Sequence, residues 1–242
     1  MTPARSAVSA GITATVSPEV FALRPDYCAL SVVAEGVTNS VRHPQVTALA
    51  EAIGHSWHRP AWTQAHLEAW RTAYRAFGAK PQRTPCSAEA LLKRLDSDGS
   101  LPSVNAAVDL YNAISVGYAI PVGGENAAAY AGNPRLIRAT GHESFDTLKD
   151  GIEQVETVPS GEVVWRDDRG VTCRRWNWRQ CIRTRIGEGT QAMWFVLERL
   201  EPMPLVAVME AGQLLVATLS VMSPDARIAM TLISREGAVR NP

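Results

Sequence analysis

The sequence is short of the features by which a chain usually shows its chemistry. It has no Cys-x-x-Cys pair: Cys28, Cys86, Cys173 and Cys181 are scattered, and the step between the last two is not a usual zinc spacing. These read as buried or free thiols in a reducing compartment. It has no excess of charge, with 24 Lys plus Arg against 24 Asp plus Glu. Strong non-specific attraction to polyanions is therefore excluded, and any nucleic-acid contact must come from a local patch. No run of about 18 apolar residues is read in it, and the Ala-, Ser- and Thr-rich start from Met1 to Val20 lacks the apolar core of a signal peptide. The expectation is a cytoplasmic protein with no membrane partner. There is no Gly-x-Ser-x-Gly elbow, no histidine beside a cysteine, and Gly187-Glu188-Gly189-Thr190 lacks the lysine and spacing of a phosphate loop. Catalysis through a protein nucleophile finds no support, and no cofactor is implied.

What the sequence does have is apolar residues, 46% of 242, and only 20% charged ones, enough for a sizeable core. Strands are predicted at Ile12–Val16 and Cys28–Val33, with Pro18 and Pro25 as breakers and Gly36 to Pro44 as a polar connection. Trp62, His66, Ala69, Ala73 and Phe77 recur at helical steps between Pro60 and Gly78. Ser87 is placed to cap a helix over Ala88–Leu95, ended at Asp96-Ser97-Asp98-Gly99. A further helix runs from about Val104 to Val116 with Ser103 as cap. On it Asn105, Asp109 and Asn112 align as a polar stripe on an otherwise apolar helix, which points to a cavity-facing side or to buried polar groups with partners. Pro121 to Asn126 reads as a turn and Arg135–Thr140 as a strand. Glu162–Arg166 and Val171–Trp176 read as a hairpin about Asp167-Asp168-Arg169-Gly170. Thr190–Leu200 is a helix or a long strand. Val206–Met209, a helix near Gln213–Met222 and a strand Ile228–Ile233 follow. The economical reading is one compact mixed α/β (α+β) domain over residues 1–242.

Three clusters carry chemistry. His55, His58 and His66 resemble a metal set, but no carboxylate stands at ligand spacing, so surface or capping histidines are the expectation and no metal is assigned. From Arg166 to Arg185 there are seven arginines (166, 169, 174, 175, 179, 183 and 185) against Asp167 and Asp168, with Trp165, Trp176 and Trp178 interleaved. Arginines bind phosphates and aromatic faces stack on unpaired bases, so this fits a single-stranded RNA end. It fits equally a hairpin with arginines outward and tryptophans in the core. Glu198 lies in the apolar stretch Met193-Trp194-Phe195-Val196-Leu197. It is either partly exposed or, if buried there, in need of a partner, a structural one such as Arg199 or a cationic or polar ligand.

The run Leu101-Pro102-Ser103-Val104-Asn105-Ala106-Ala107-Val108-Asp109-Leu110-Tyr111-Asn112 resembles a segment of the B3/B4 editing domain of the phenylalanyl-tRNA synthetase beta chain. The order continues through Pro121–Asn126, Arg135–Thr140 and Gly141-His142-Glu143. Gly161-Glu162-Val163-Val164-Trp165-Arg166-Asp167 and Arg175-Trp176-Asn177-Trp178-Arg179-Gln180 look like signatures of freestanding members. The similarity spans roughly 60–200, leaving N-terminal strands and a C-terminal helix-strand extension outside it. It implies an α/β domain that hydrolyses mischarged tRNA in trans, in some members canavanyl-tRNA(Arg), with the aminoacylated 3′ end of tRNA as partner. Carried over by position, Tyr111, Asn112 and Glu198 are the candidate catalytic residues. Glu125, Asn105, Asp109 and Gly123 are candidates for substrate binding, and Arg174, Arg175, Trp176, Trp178, Arg179 and Arg183 for RNA binding. The synthetase pattern has a His and a Phe-Asp in its Pro-containing turn, where this chain has Gly123, Glu125 and Asn126, a departure that argues against phenylalanine or tyrosine editing. Alternatives are a deacylase for another amino acid, or a non-catalytic RNA-binding module.

Overall fold

A computed structural model describes residues 11–55 and 59–241. It begins with β1 (Thr15–Val16), α1 (Pro18–Leu23), β2 (Cys28–Glu35), α2 (Pro44–His55), α3 (Thr63–Ala76), α4 (Ser87–Asp98) and α5 (Ala106–Tyr118). Then come β3 (Val122–Asn126), β4 (Arg135–Arg138), β5 (Ser144–Lys149), β6 (Ile152–Thr157), β7 (Val163–Arg166), β8 (Val171–Arg174) and β9 (Arg179–Gln180). The chain closes with β10 (Ala192–Arg199), α6 (Leu205–Met222), β11 (Arg227–Ser234) and β12 (Gly237–Asn241). One five-stranded sheet has the order β12-β11-β2-β10-β3, a second the order β1-β4-β7-β8-β9, and β5 and β6 form a separate ribbon. The fold is mixed α+β.

Strand alternation divides the interior. Leu30, Val32 and Ala34 on β2, with Met193, Phe195 and Leu197 on β10, face α5 and α6. Their neighbours Ala29, Trp194 and Val196 point the other way, toward Trp165 of the second sheet and Trp70 of α3. Glu198 has the parity of Trp194 and Val196, so the strand delivers a carboxylate into the second, aromatic core.

Several expectations are corrected. Pro18 does not break the chain but opens α1, where its missing N–H and fixed φ suit the first turn. The segment from Pro44 is helical. Asn105, not Ser103, caps α5, its side chain accepting from the Val108 N–H, while the Ser103 hydroxyl donates to Asp109. Cys86 takes the N-cap position expected of Ser87. Residues 122–126 are an edge strand rather than a turn, because Gly123 and Gly124 admit close neighbours rather than a reversal. The β5–β6 ribbon carries no signal that the sequence reading used. His58 lies outside the described residues, and so does the side chain of His55. Thr190–Leu200 resolves as a strand.

The two pieces expected within 206–222 are one helix, α6, continuous through Gly212. It is long and apolar enough to cross a membrane by length and composition alone, although Glu210 and Gln213 interrupt its apolar run. Here its inner face, including Ala207, Ala211, Leu215 and Leu219, is buried against the first sheet. Gly212 sits over β2, and a Cβ there would lie 2.2 Å from Cδ2 of the fully buried Leu30. Gly212→Val is therefore expected to cost about 1–3 kcal/mol by overpacking, against the ordinary gain from removing a helical glycine. A urea denaturation midpoint at or above the parent's would contradict that packing.

Candidate functional site

At the β3 edge of the first sheet, a cavity of about 270 Å³ opens between α4, α5 and the second sheet. The chemistry gathers here rather than in the larger hollows beside it. Glu198 and Glu125 both line it. The register explains the pairing: Trp194 opposes Glu125 and Val196 opposes Gly123, so Gly123, Glu125 and Glu198 all project from one face. Tyr111 and Asn112 reach the same space from α5, and Gln180, Asn177, Trp178 and Arg179 from the far wall.

Glu198 is fully buried. Its Oε1 accepts from the Tyr27 hydroxyl at 2.7 Å and the Trp165 indole at 3.1 Å, and its Oε2 from the Asn177 amide at 3.0 Å. No cation pairs with it among the described residues, and Arg199 turns instead to the Met203 carbonyl. Desolvation pushes its pKa up to about 7, with those hydrogen bonds acting in opposition. Glu125 is likewise raised to about 7 by desolvation, although Tyr130 donates to it at 2.5 Å. Each carboxyl is therefore poised near neutrality inside an apolar wall.

Other polar groups at the cavity have no partner. The Trp176 indole Nε1 and the Ser87 hydroxyl are buried without a hydrogen bond. Trp176 stands near enough to Glu198 to favour its charged form but misses hydrogen-bond geometry. Neither the Tyr111 hydroxyl nor the Asn112 amide bonds to any described residue, although Asn112 is only 8% exposed. Tyr111 leans across β3, where a Cβ on Gly124 would lie 2.6 Å from its ring. Buried polar groups are ordinarily satisfied, so this set has room for a ligand's own donors and acceptors.

A strained turn builds the far wall. Arg175 and Trp176 both have left-handed backbone, with φ of 48° and 69°. Consecutive non-glycine residues there cost roughly 1–3 kcal/mol each and persist only where the surroundings hold them. Glu162 accepts the Arg175 N–H, and the Trp176 N–H donates to the Val163 carbonyl at 2.6 Å. The turn throws Trp176 into the core, in edge contact with Trp70 and Tyr27, and sets Asn177 under Glu198.

Of the residues expected at the site, Tyr111, Asn112, Gly123, Glu125 and Glu198 come together in this cavity, with Trp178 and Arg179 at its rim. Asn105 does not: its side chain is spent on capping and on contacts with Asn39 and the Ile186 carbonyl. Asp109 faces a different hollow, beside α2, and binds Ser103 and the Val104 N–H. The polar stripe thus divides, because residues three and four apart drift around a helix. Arg174 is held in a buried fork with Glu162, and Arg183 with the fully buried Asp167, so neither is free for RNA. Trp176 offers no stacking face. His66 is structural: its Nδ1 meets the Ala119 carbonyl, its Nε2 accepts from Trp70 and the Leu200 N–H, and burial lowers its pKa to about 4. Among the described residues no three His, Cys, Asp or Glu side chains are grouped to hold a metal. Cys173 lines the cavity, but burial drives its pKa well up and leaves it a thiol. Sequence reasoning missed Asn177, Gln180, Trp165 and Ser87. Asn177 and Gln180 stood inside a quoted motif, yet only the turn aims Asn177 inward.

The B3/4 domain family profile matches residues 69–208. A crystal structure of an N-terminal fragment of the phenylalanyl-tRNA synthetase beta-subunit from Pyrococcus horikoshii aligns over 96% of this chain, with a TM-score of 0.50 and 11% identity. This chain spans about half of that fragment, 54% of its length. No curated protein matches.

The two raised carboxyl groups set a pH dependence. A carboxyl whose pKa rises on folding keeps its proton in the folded state while the unfolded chain has lost it. These groups therefore cost nothing below about pH 4.5 and progressively more as pH rises toward 7. Glu198→Gln is expected to remove its share, up to about 3 kcal/mol above pH 7. Thermal unfolding of parent and variant between pH 4.5 and 8 checks this. Parallel curves would refute it.

Proposed function

The chain belongs to the B3/4 domain family, and on that premise we propose that it hydrolyses the ester of mischarged tRNA in trans, with canavanyl-tRNA(Arg) as the preferred substrate. The observation that carries this reading is Glu198, a fully buried carboxyl on a cavity wall that three donors hold and no cation among the described residues neutralises. Oε2 accepts only from Asn177 and has a lone pair to spare. A guanidinium-like side chain supplies a planar fork of donors for such a group. The second carboxyl, Glu125, lies on the same face.

The chemistry also accounts for preferring canavanine over arginine. An oxygen beside the guanidino group withdraws electrons and makes canavanine the weaker base. Entering this water-poor space charged is costly for arginine. A weaker base can share one proton with a carboxyl poised near pH 7, so the pair enters close to neutral. At about 270 Å³ the cavity suits an amino-acid side chain, below the roughly 300–1,000 Å³ of larger ligand sites.

Ester hydrolysis needs no protein nucleophile. The attacking group is water; a neighbouring ribose hydroxyl is available to relay its proton to the departing ribose oxygen, so the ester gives a free carboxylic acid and an intact ribose. The protein's part is to position the ester and to donate hydrogen bonds to the oxyanion. The unpartnered Asn112 amide and Tyr111 hydroxyl are assigned to that role. What supports this is that both line the same cavity as Glu198.

Deacylation of a panel of mischarged tRNAs is the test. Canavanyl-tRNA(Arg) is expected to be hydrolysed much faster than arginyl-tRNA(Arg), and Asn112→Ala to lower kcat by roughly 10²–10³, the usual effect of losing one oxyanion donor. Glu198→Gln is expected to reduce the preference for canavanine more than it reduces tRNA affinity. Retention of tRNA with no amino acid released from any member of the panel would favour a binding module, and faster release of another amino acid would reassign the substrate.

A further inference from the structure

We infer that a basic cleft next to the cavity holds a backbone phosphate of the RNA strand whose 3′ end enters it, an inference that rests on the reading above. The cleft, of about 290 Å³, lies between the end of α3 and the 159–162 loop, lined by Lys80, Arg83, Thr84, Ser160, Glu162 and Arg175 among others. None of the arginines and tryptophans between 165 and 185 led to Lys80 or Arg83, which lie far from them in sequence. Both are exposed, and neither pairs with an acid among the described residues.

The one carboxylate in the wall does not neutralise them. Glu162 is buried and already takes a bidentate fork from Arg174 together with the Arg175 N–H. Lys80 and Arg83 therefore face a hollow whose acid, among the described residues, is engaged by Arg174 and by Arg175, whose guanidinium lies 3.8 Å from it. In a chain with a formal net charge of zero, this is the local positive patch that a polyanion would need.

Continuity with the cavity favours a nucleic-acid strand over a free anion. Arg175 lines the cleft and Trp178 lines the cavity. The Arg175 guanidinium lies 4.3 Å from the centre of the Trp178 ring, so this stacked pair forms the partition between the two hollows. The strained backbone at 175 and 176 fixes it in place. One face of Trp178 is thus occupied, and the ring serves to orient a phosphate-binding guanidinium rather than to stack a base. A strand with its aminoacyl terminus in the cavity would pass this partition with its preceding backbone beside Lys80 and Arg83.

The test uses the full chain, a 5′-labelled short single-stranded RNA ending in CCA, and fluorescence anisotropy over a salt series. Lys80→Ala/Arg83→Ala changes only exposed side chains, and circular dichroism checks that the fold is kept. The pair is expected to weaken RNA binding severalfold and to lower the slope of log affinity against log salt by about 0.7, the contribution of one neutralised phosphate on a single strand. Lys80→Arg/Arg83→Lys should restore both. Hydrolysis of a canavanyl ester of adenosine, which keeps the ribose hydroxyl but has no backbone phosphate, should be unchanged by either variant. Equal affinity and slope in the alanine variant would overturn the inference while leaving the esterase reading intact. RNA binding that depends on the pair, in a protein that cleaves neither the ester nor any mischarged tRNA, would do the reverse. Displacement of the RNA by a polyglutamate peptide at matched charge would overturn the choice of phosphate.

Discussion

A carboxyl group in the middle of an aromatic core must be surrounded by donors before it can be tolerated, and the arrangement around Glu198 follows from that requirement. Tyr27 comes from the segment before β2, Trp165 from β7, Asn177 from the turn after β8, and all three converge on one side chain of β10. Three segments distant in sequence are thereby fixed relative to the central strand. The same convergence leaves the carboxyl without a counter-charge among the described residues and with a pKa raised to about 7, a poor arrangement for stability alone.

The turn at 175 and 176 supplies what regular structure cannot. A hairpin continuing past β8 would have alternated its side chains in and out, sending Trp176 and Trp178 to the same face. Two left-handed residues break that alternation. Trp176 becomes core, Asn177 becomes a ligand of Glu198, and Trp178 is left at the rim beneath a guanidinium. The strain is held by a hydrogen bond to Glu162, whose carboxylate is itself fixed by Arg174. Arg174, expected to touch RNA, instead stabilises the wall past which RNA is proposed to run.

The sequence was legible wherever one period or one charge decided the outcome. The apolar stretch before Glu198 raised the prospect of a costly buried carboxylate, and the order of motifs from Leu101 to Gln180 indicated the domain. Tyr111 and Asn112 were carried over by position and do face the cavity. Legibility failed where tertiary contact overrode local signal. Asn105 and Asp109 share a stripe with Asn112 on paper, but one caps the helix and the other binds the residues before it. Gly123 and Gly124 read as a turn because glycine usually marks one. Which arginines are free depended on where Glu162 and Asp167 lay, and Lys80 and Arg83 had no motif to announce them.

Gly124 and Tyr111 form a locked pair. Because any side chain at 124 would occupy the space of the Tyr111 ring, the glycine cannot change while that ring stays. A lineage that acquired alanine on the strand would first have to shed the aromatic on the helix, and with it the phenol at the mouth of the cavity. The edge of the sheet thus ties divergence of the scaffold to divergence of the cavity it walls.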